Sequence, residues 1–218
     1  KVFSLFSEDE AAIFLDSAYL MEVNARYSFI AVDPFMTVTC KEGQLEIDKE
    51  PILANPFTTL QELLRFYHLE TLPELPPFQG GMAGFFSYDL CALLENLPIS
   101  SVDNMQLPDM AVGLYDLVIA FDHSKCRSWV FSSGYPEKNA DGRTSRAQKR
   151  CENLFKKISE LKELKKLPLA VCEQKDITST FHRDSYENSV KKVIDYIYAG
   201  DVFEVNLSQQ FSSPMPEG

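Results

Sequence analysis

The sequence predicts an α+β fold, with antiparallel strands early and helices set between and after them. Three observations carry that expectation. Apolar and alternating runs bounded by turn residues crowd the chain as far as Ser132. Sustained helical period returns only beyond Ser133. The strand–helix–strand alternation that builds a parallel sheet is not visible.

Taken in order, Ala11 to Tyr19 and Tyr27 to Val32 are apolar-rich strand runs. Met36-Thr-Val-Thr-Cys40 and Gln44-Leu-Glu-Ile47 alternate around Lys41-Glu42-Gly43, a hairpin whose glycine supplies the φ > 0 that the loop needs. Thr59-x-x-Glu62 fits a capping box and predicts a helix start near Thr58 or Thr59, with Leu60, Leu63, Leu64 and Tyr67 on one face. The prolines at 73, 76 and 77 make a connector. Phe78 to Leu90 predicts a strand, followed by a short helix to Leu94. Met110 to Asp122 predicts one long apolar strand, which turns at Asp122-His-Ser-Lys125 and pairs with Arg127 to Ser132.

Ala147, Cys151, Leu154, Phe155, Ile158 and Leu161 recur at helical spacing. A last helix is expected to start at Asp184 or Ser185, with Tyr186, Val190, Val193, Ile194 and Ile197 facing inward and Gly200 as its stop. A strand is expected next, through Phe203, Val205 and Leu207 to Phe211. The expected domains are residues 1–175 and the beginning of a second domain over 176–218.

Asp and Glu number 32 against 21 Lys and Arg in 218 residues, a net charge of −11. Such a balance disfavours nucleic acid and anionic membranes as partners, because phosphate binding needs clustered cations. The basic residues between Arg143 and Lys166 lie on an amphipathic helix and read as its solvated face. Five cysteines without a C-x-x-C pair are the usage of a reducing compartment. With no signal peptide and no apolar run of about 18 residues, a cytoplasmic protein is expected.

Few motifs point to chemistry by themselves. Gly80, Gly81 and Gly84 match neither phosphate-binding pattern, and glycine in a strand more often marks close backbone approach. His68, His123 and His182 lack the spacing of metal ligands, and no pair of carboxylates stands out as acid and base. More suggestive are Leu15-Asp16-Ser17-Ala18 and Asn24-Ala25-Arg26-Tyr27-Ser28. They put a hydroxyl, an amide, a guanidinium and a phenol at the ends of paired strands, as anchoring an amino acid requires. The same residues also read as a hairpin turn with a surface ion pair from Arg26, and residue chemistry alone favours that reading.

Four blocks occur together: Pro77-Phe-Gln-Gly-Gly-x-x-Gly-x-Phe-x-Tyr-Asp-Leu90, Leu107-Pro-Asp-Met-Ala-Val-Gly-Leu-Tyr-Asp116, Asp122-His123 and Gly200-Asp-x-x-x-Val-Asn-Leu-Ser-Gln209. In order and spacing they resemble the chorismate-utilising enzymes, the family of component I of anthranilate synthase and of aminodeoxychorismate synthase. With Arg26 to Pro34, the resemblance touches nearly the whole chain. It implies antiparallel sheets packed face to face with helices around them. It also implies amination of chorismate with ammonia from a glutamine amidotransferase partner, assisted by Mg²⁺.

The resemblance further implies an amino-terminal half, with the family's catalytic lysine, metal-binding glutamates and chorismate ligands beyond Gly218. No catalytic or metal residue is therefore named, and the 218 residues alone are expected to be inactive. Phe78-Gln-Gly-Gly and Asn206 look like the aminodeoxychorismate branch, which leads to para-aminobenzoate and folate. The anthranilate branch of tryptophan synthesis is the alternative, and a non-catalytic tryptophan-binding module is the alternative of another class. The family's tryptophan pocket maps onto Ser17, Asn24, Ala25, Arg26 and Tyr27. Glu204 and Gln210 stand where the family usually carries Gln and Arg; the second change removes a bidentate anion donor.

Overall fold

The computed structural model describes residues 2–17, 25–97, 103, 105–161 and 177–214. The chain divides into two compact units, Lys1–Glu163 and Leu164–Gly218.

The described residues of the first unit form two antiparallel sheets. One has the order β1 (Ile13–Leu15), β2 (Tyr27–Ala31), β8 (Leu117–Asp122), β9 (Arg127–Ser132). The other has the order β5 (Glu50–Ile52), β4 (Gln44–Ile47), β3 (Met36–Lys41), β7 (Met110–Tyr115), β6 (Gly81–Phe86). The expected hairpin from Met36 to Ile47 forms in register Val38↔Ile47 to Lys41↔Gln44, with Gly43 at φ 79°. The last hairpin also forms, pairing Leu117↔Ser132 through Asp122↔Arg127.

The run from Met110 to Asp122 is not one strand. It breaks at Asp116, and its two halves sit in different sheets, each between two neighbours. Period-two alternation reads the same through such a switch; the charged residue inside an apolar run was its mark.

Among the described residues, three apolar cores result. Val38, Leu45, Val112 and Leu114 of the second sheet pack with Leu60 of α1 (Pro56–Phe66). Ile30, Leu117 and Ile119 of the first sheet pack with Leu154 of α2 (Ala140–Ser159) and with Phe6. Between the sheets, Ala31, Tyr115 and Val118 are buried with Ile13, Phe29, Phe78 and Ala83 against them. Each large side chain fully buried in this way contributes about 1.5–3 kcal/mol.

Helix α1 begins earlier than the capping box suggests. Asn55 is the N-cap, its Oδ1 accepting the Thr58 N–H at 3.1 Å, and Pro56 opens the first turn. Asn-Pro satisfies the helix start better than Thr59, since proline there forfeits no needed donor. Leu60 is buried, whereas Leu64 is half exposed. Gln79 is buried and clasps the proline connector, donating from Nε2 to the carbonyls of Leu72 (2.8 Å) and Pro76 (3.1 Å) while Oε1 accepts from Leu72 N–H. After β6, a 3₁₀ helix runs from Tyr88 to Leu93.

The second unit holds β10 (Thr178–Ser179), α3 (Arg183–Ala199) and β11 (Phe211–Ser212). The N-cap of α3 is His182, without a side-chain capping bond, and not Asp184 or Ser185. Gly200 ends the helix at φ 81°, as expected. Two expectations fail here. Tyr186, Val190, Val193, Ile194 and Ile197 are not buried. Phe203 to Leu207 is not a strand; only Phe211–Ser212 pairs, with Thr178–Ser179. An extended segment becomes a strand only where a partner takes its backbone hydrogen bonds, and none does so among the described residues.

Candidate ligand site

The residues singled out in the sequence gather where β1 ends and β2 begins. Leu15 pairs with Phe29, so Asp16 and Ser17 continue past the ladder beside Tyr27 and Ser28. Ser17 Oγ donates to the Tyr27 carbonyl at 2.5 Å, and Ser17 N–H donates to Ser28 Oγ at 3.2 Å. Ser17, Ala25, Arg26 and Tyr27 are all partly exposed at this end of the sheet. Asn24 lies outside the described residues.

Arg26 has a partner that the sequence did not identify. Its Nε contacts both Asp122 oxygens at 3.0 and 3.1 Å, and a terminal nitrogen meets Oδ2 at 2.5 Å. Asp122 is buried and Arg26 is about one-third exposed (36%). The guanidinium holds the Asp122 carboxyl down to about 2, helped by the Lys125 N–H on Oδ1. The pair in turn raises Arg26 further above its ordinary value. The guanidinium carbon also lies 4.7 Å from the centre of the Tyr27 ring, a cation–π distance. Arg26 therefore stands as an ion pair with a buried carboxylate, with its remaining terminal nitrogen unpaired among the described residues.

Ser28, Asp16 and His123 complete the cluster; Asp16 and Ser28 lie in the two segments that the sequence singles out but were not named as site residues, and His123 was not linked to them. Ser28 is buried, with its Oγ 2.7 Å from Asp16 Oδ1 and 2.6 Å from His123 Nε2. A serine two positions before Ile30 falls on the buried face of the strand, where a hydroxyl must find partners; that was the available signal. His123 follows β8 directly, and its own N–H donates to the Arg26 carbonyl at 2.9 Å. Apolar walls stand close by, since Tyr27, Phe29 and Phe78 form a row with centroids 5.9 and 5.8 Å apart. A cleft of about 440 Å³ opens beside β1, lined by Ile13, Thr37, Thr39, Ala83, Phe85 and Ala111 among others.

Gly84 serves close packing. A Cβ there would stand 2.1 Å from the Ala111 carbonyl oxygen on the neighbouring strand. Among the described residues, no group of three or more His, Cys, Asp or Glu could hold a metal ion. No helix among them is long and apolar enough to cross a membrane.

Two antiparallel sheets flanked by helices, with a polar cluster at strand ends, make an α+β domain. Residues 13–217 match the family described as chorismate binding enzyme, and the chain belongs to that family. It is 31% identical over 196 residues to anthranilate synthase component 1 of Thermus thermophilus, covering 88% of this chain and 40% of that protein. It is 30% identical over 192 residues to aminodeoxychorismate synthase component 1 of Bacillus subtilis, covering 84% of this chain and 39% of that protein. The crystal structure of anthranilate synthase component I from Streptococcus pneumoniae shares the fold, with a TM-score of 0.74 at 24% identity over 92% of this chain and 45% of that one. The chain thus spans about two-fifths of the length of these curated relatives.

Proposed function

We propose that these residues are the amino-terminal part of an aminodeoxychorismate synthase component I. In this reading, residues 1–175 form the amino-terminal domain and residues 176–218 begin the chorismate-binding catalytic domain. The match to the chorismate binding enzyme family over residues 13–217 carries the proposal. Relatives of both branches match about equally, so the choice of branch rests on Phe78-Gln79-Gly80-Gly81 and Asn206. The proposed reaction joins ammonia to chorismate with loss of the ring hydroxyl as water, giving 4-amino-4-deoxychorismate. A glutamine amidotransferase subunit supplies the ammonia, Mg²⁺ is the cofactor, and the compartment is the cytoplasm.

Within this chain the proposed role of Ser17, Asn24, Ala25, Arg26 and Tyr27 is to frame an amino-acid pocket of the tryptophan kind. Two features support it. The Ser17 proton is spent on the Tyr27 carbonyl, so its oxygen offers only lone pairs, suited to an ammonium group. One terminal nitrogen of Arg26 remains for a carboxylate.

The test is an assay of the 218 residues with chorismate, Mg²⁺ and ammonium chloride, beside any longer parent protein that contains them. The fragment is expected to give no turnover above the blank, and the parent to give aminodeoxychorismate. Anthranilate from the parent would move the protein to the other branch, and turnover by the fragment would overturn the half-enzyme reading.

A further inference from the structure

The hydroxyl of Ser28 has three neighbours and only one proton. Ser17 N–H points to it at 3.2 Å, Asp16 Oδ1 lies at 2.7 Å and His123 Nε2 at 2.6 Å. A carboxylate oxygen can only accept, so the hydroxyl proton must go to Asp16. Both lone pairs of Oγ are then left to accept, one from Ser17 N–H and the other from the imidazole. Nε2 must therefore carry a proton; otherwise two lone pairs would face each other at 2.6 Å. The order of donation is His123 to Ser28 to Asp16.

This is not a hydrolytic triad, although its residue types invite that reading. In a triad the carboxylate orients the imidazole and the serine stays open to substrate. Here the carboxylate meets the serine, and the serine is 2% exposed.

We propose that His123, held with Nε2 protonated, is a positioning residue that fixes the Asp16–Ser17 end of β1 through Ser28. Its own placement is secured from the backbone, because its N–H is bound to the Arg26 carbonyl next to the Arg26–Asp122 pair. One buried hydroxyl thus joins three separate pieces of chain, namely the end of β1, the start of β2 and the turn after β8. The link to ligand binding rests on the amino-acid pocket proposed above, whereas the proton order does not.

The experiment is long-range ¹H–¹⁵N NMR of the imidazole rings in the 218-residue chain, with amide exchange at Ser17 in variants. His123 is expected to show a protonated Nε2, either as the neutral Nε2–H tautomer or as imidazolium. A neutral ring with its proton on Nδ1 overturns the proposal, and this measurement needs no variant. His123→Leu and Ser28→Ala are expected to speed exchange at Ser17 N–H about tenfold, the loss of about one hydrogen bond. His123→Gln, which keeps an amide donor, is expected to restore slow exchange. Unchanged exchange in His123→Leu overturns the positioning role. Calorimetric titration of the wild-type chain with tryptophan tests the pocket separately. Absence of heat there counts against the pocket and leaves the proton order as the NMR finds it.

Discussion

Arg26 grips Asp122 with two nitrogens, across the start of β2 and the end of β8. The carboxylate is buried while the guanidinium reaches solvent. One ion pair therefore closes the edge at which the candidate ligand site is built.

Its pH signature follows from the sign of the shift. The Asp122 carboxyl is held down to about 2, first by the Arg26 hydrogen bond. A lowered carboxyl contributes stability that is present above its unfolded value, about 3.9, and is lost as pH falls through the folded one. Stability is expected to fall between pH 4 and pH 2, and Arg26→Gln to flatten that part of the curve. Chemical denaturation at a series of pH values checks this; an unchanged acid limb in the variant contradicts it.

Asp116 has the opposite sign. It is wholly buried where the chain leaves one sheet for the other, 3.1 Å from Arg150 Nε and 3.5 Å from Arg146 Nε. The nearer pair is close but not aligned as a hydrogen bond. Burial pushes its carboxyl up against the pull of both arginines. Arg150→Met leaves that charge only the longer Arg146 contact and is expected to cost about 3–5 kcal/mol at pH 7. A raised carboxyl stabilises below its unfolded value and less as pH rises through the folded one, so the deficit is expected to shrink at pH 4. Equal deficits at both pH values would refute the assignment.

Gly84→Ala is expected to destabilise by about 1–3 kcal/mol or more, because the new methyl meets backbone across the β6–β7 ladder and not a movable side chain. The urea midpoint measures it. Wild-type stability would mean that the two strands are not packed as described.

In the second unit no described residue from 177 to 214 is buried, and Tyr198, Phe203 and Phe211 are largely exposed at 86, 94 and 61%. Most helical stability in proteins comes from a packed apolar face, and α3 has no buried residue among those described. Limited proteolysis is expected to cut between residues 177 and 214 before it cuts either sheet. First cleavage within β7 or β8 would contradict it.

The parts legible in the sequence were those decided locally. The Gly43 hairpin, the turn after Asp122 and the stop at Gly200 each follow from a residue and its immediate neighbours. Asp116 inside an apolar run marked a break, but the switch of sheet there was not legible, because which sheet a strand joins depends on partners far away in the chain. The helix starts were misjudged where two capping signals competed, and Asn55-Pro56 outweighed Thr59. At the candidate site, Ser17, Arg26 and Tyr27 could be read as strand-end residues. Their partners at Asp122 and His123 could not, since residues roughly a hundred positions apart meet only through the register Tyr27↔Asp122.

The passage from β7 to β8 through Asp116 also constrains how this chain can vary in length. A single residue separates two six-residue strands, each flanked on both sides in its own sheet. Adding or deleting one residue within either strand would turn every side chain beyond it to the opposite face. In β7 that would lift Val112 and Leu114 out of one core, and in β8 it would expel Leu117 and Ile119 from another. Homologous chains should therefore tolerate insertions at the turn over residues 123–126, yet keep the count from Met110 to Asp122 unchanged. An alignment gap inside that interval would mark a protein whose two sheets are joined in some other way.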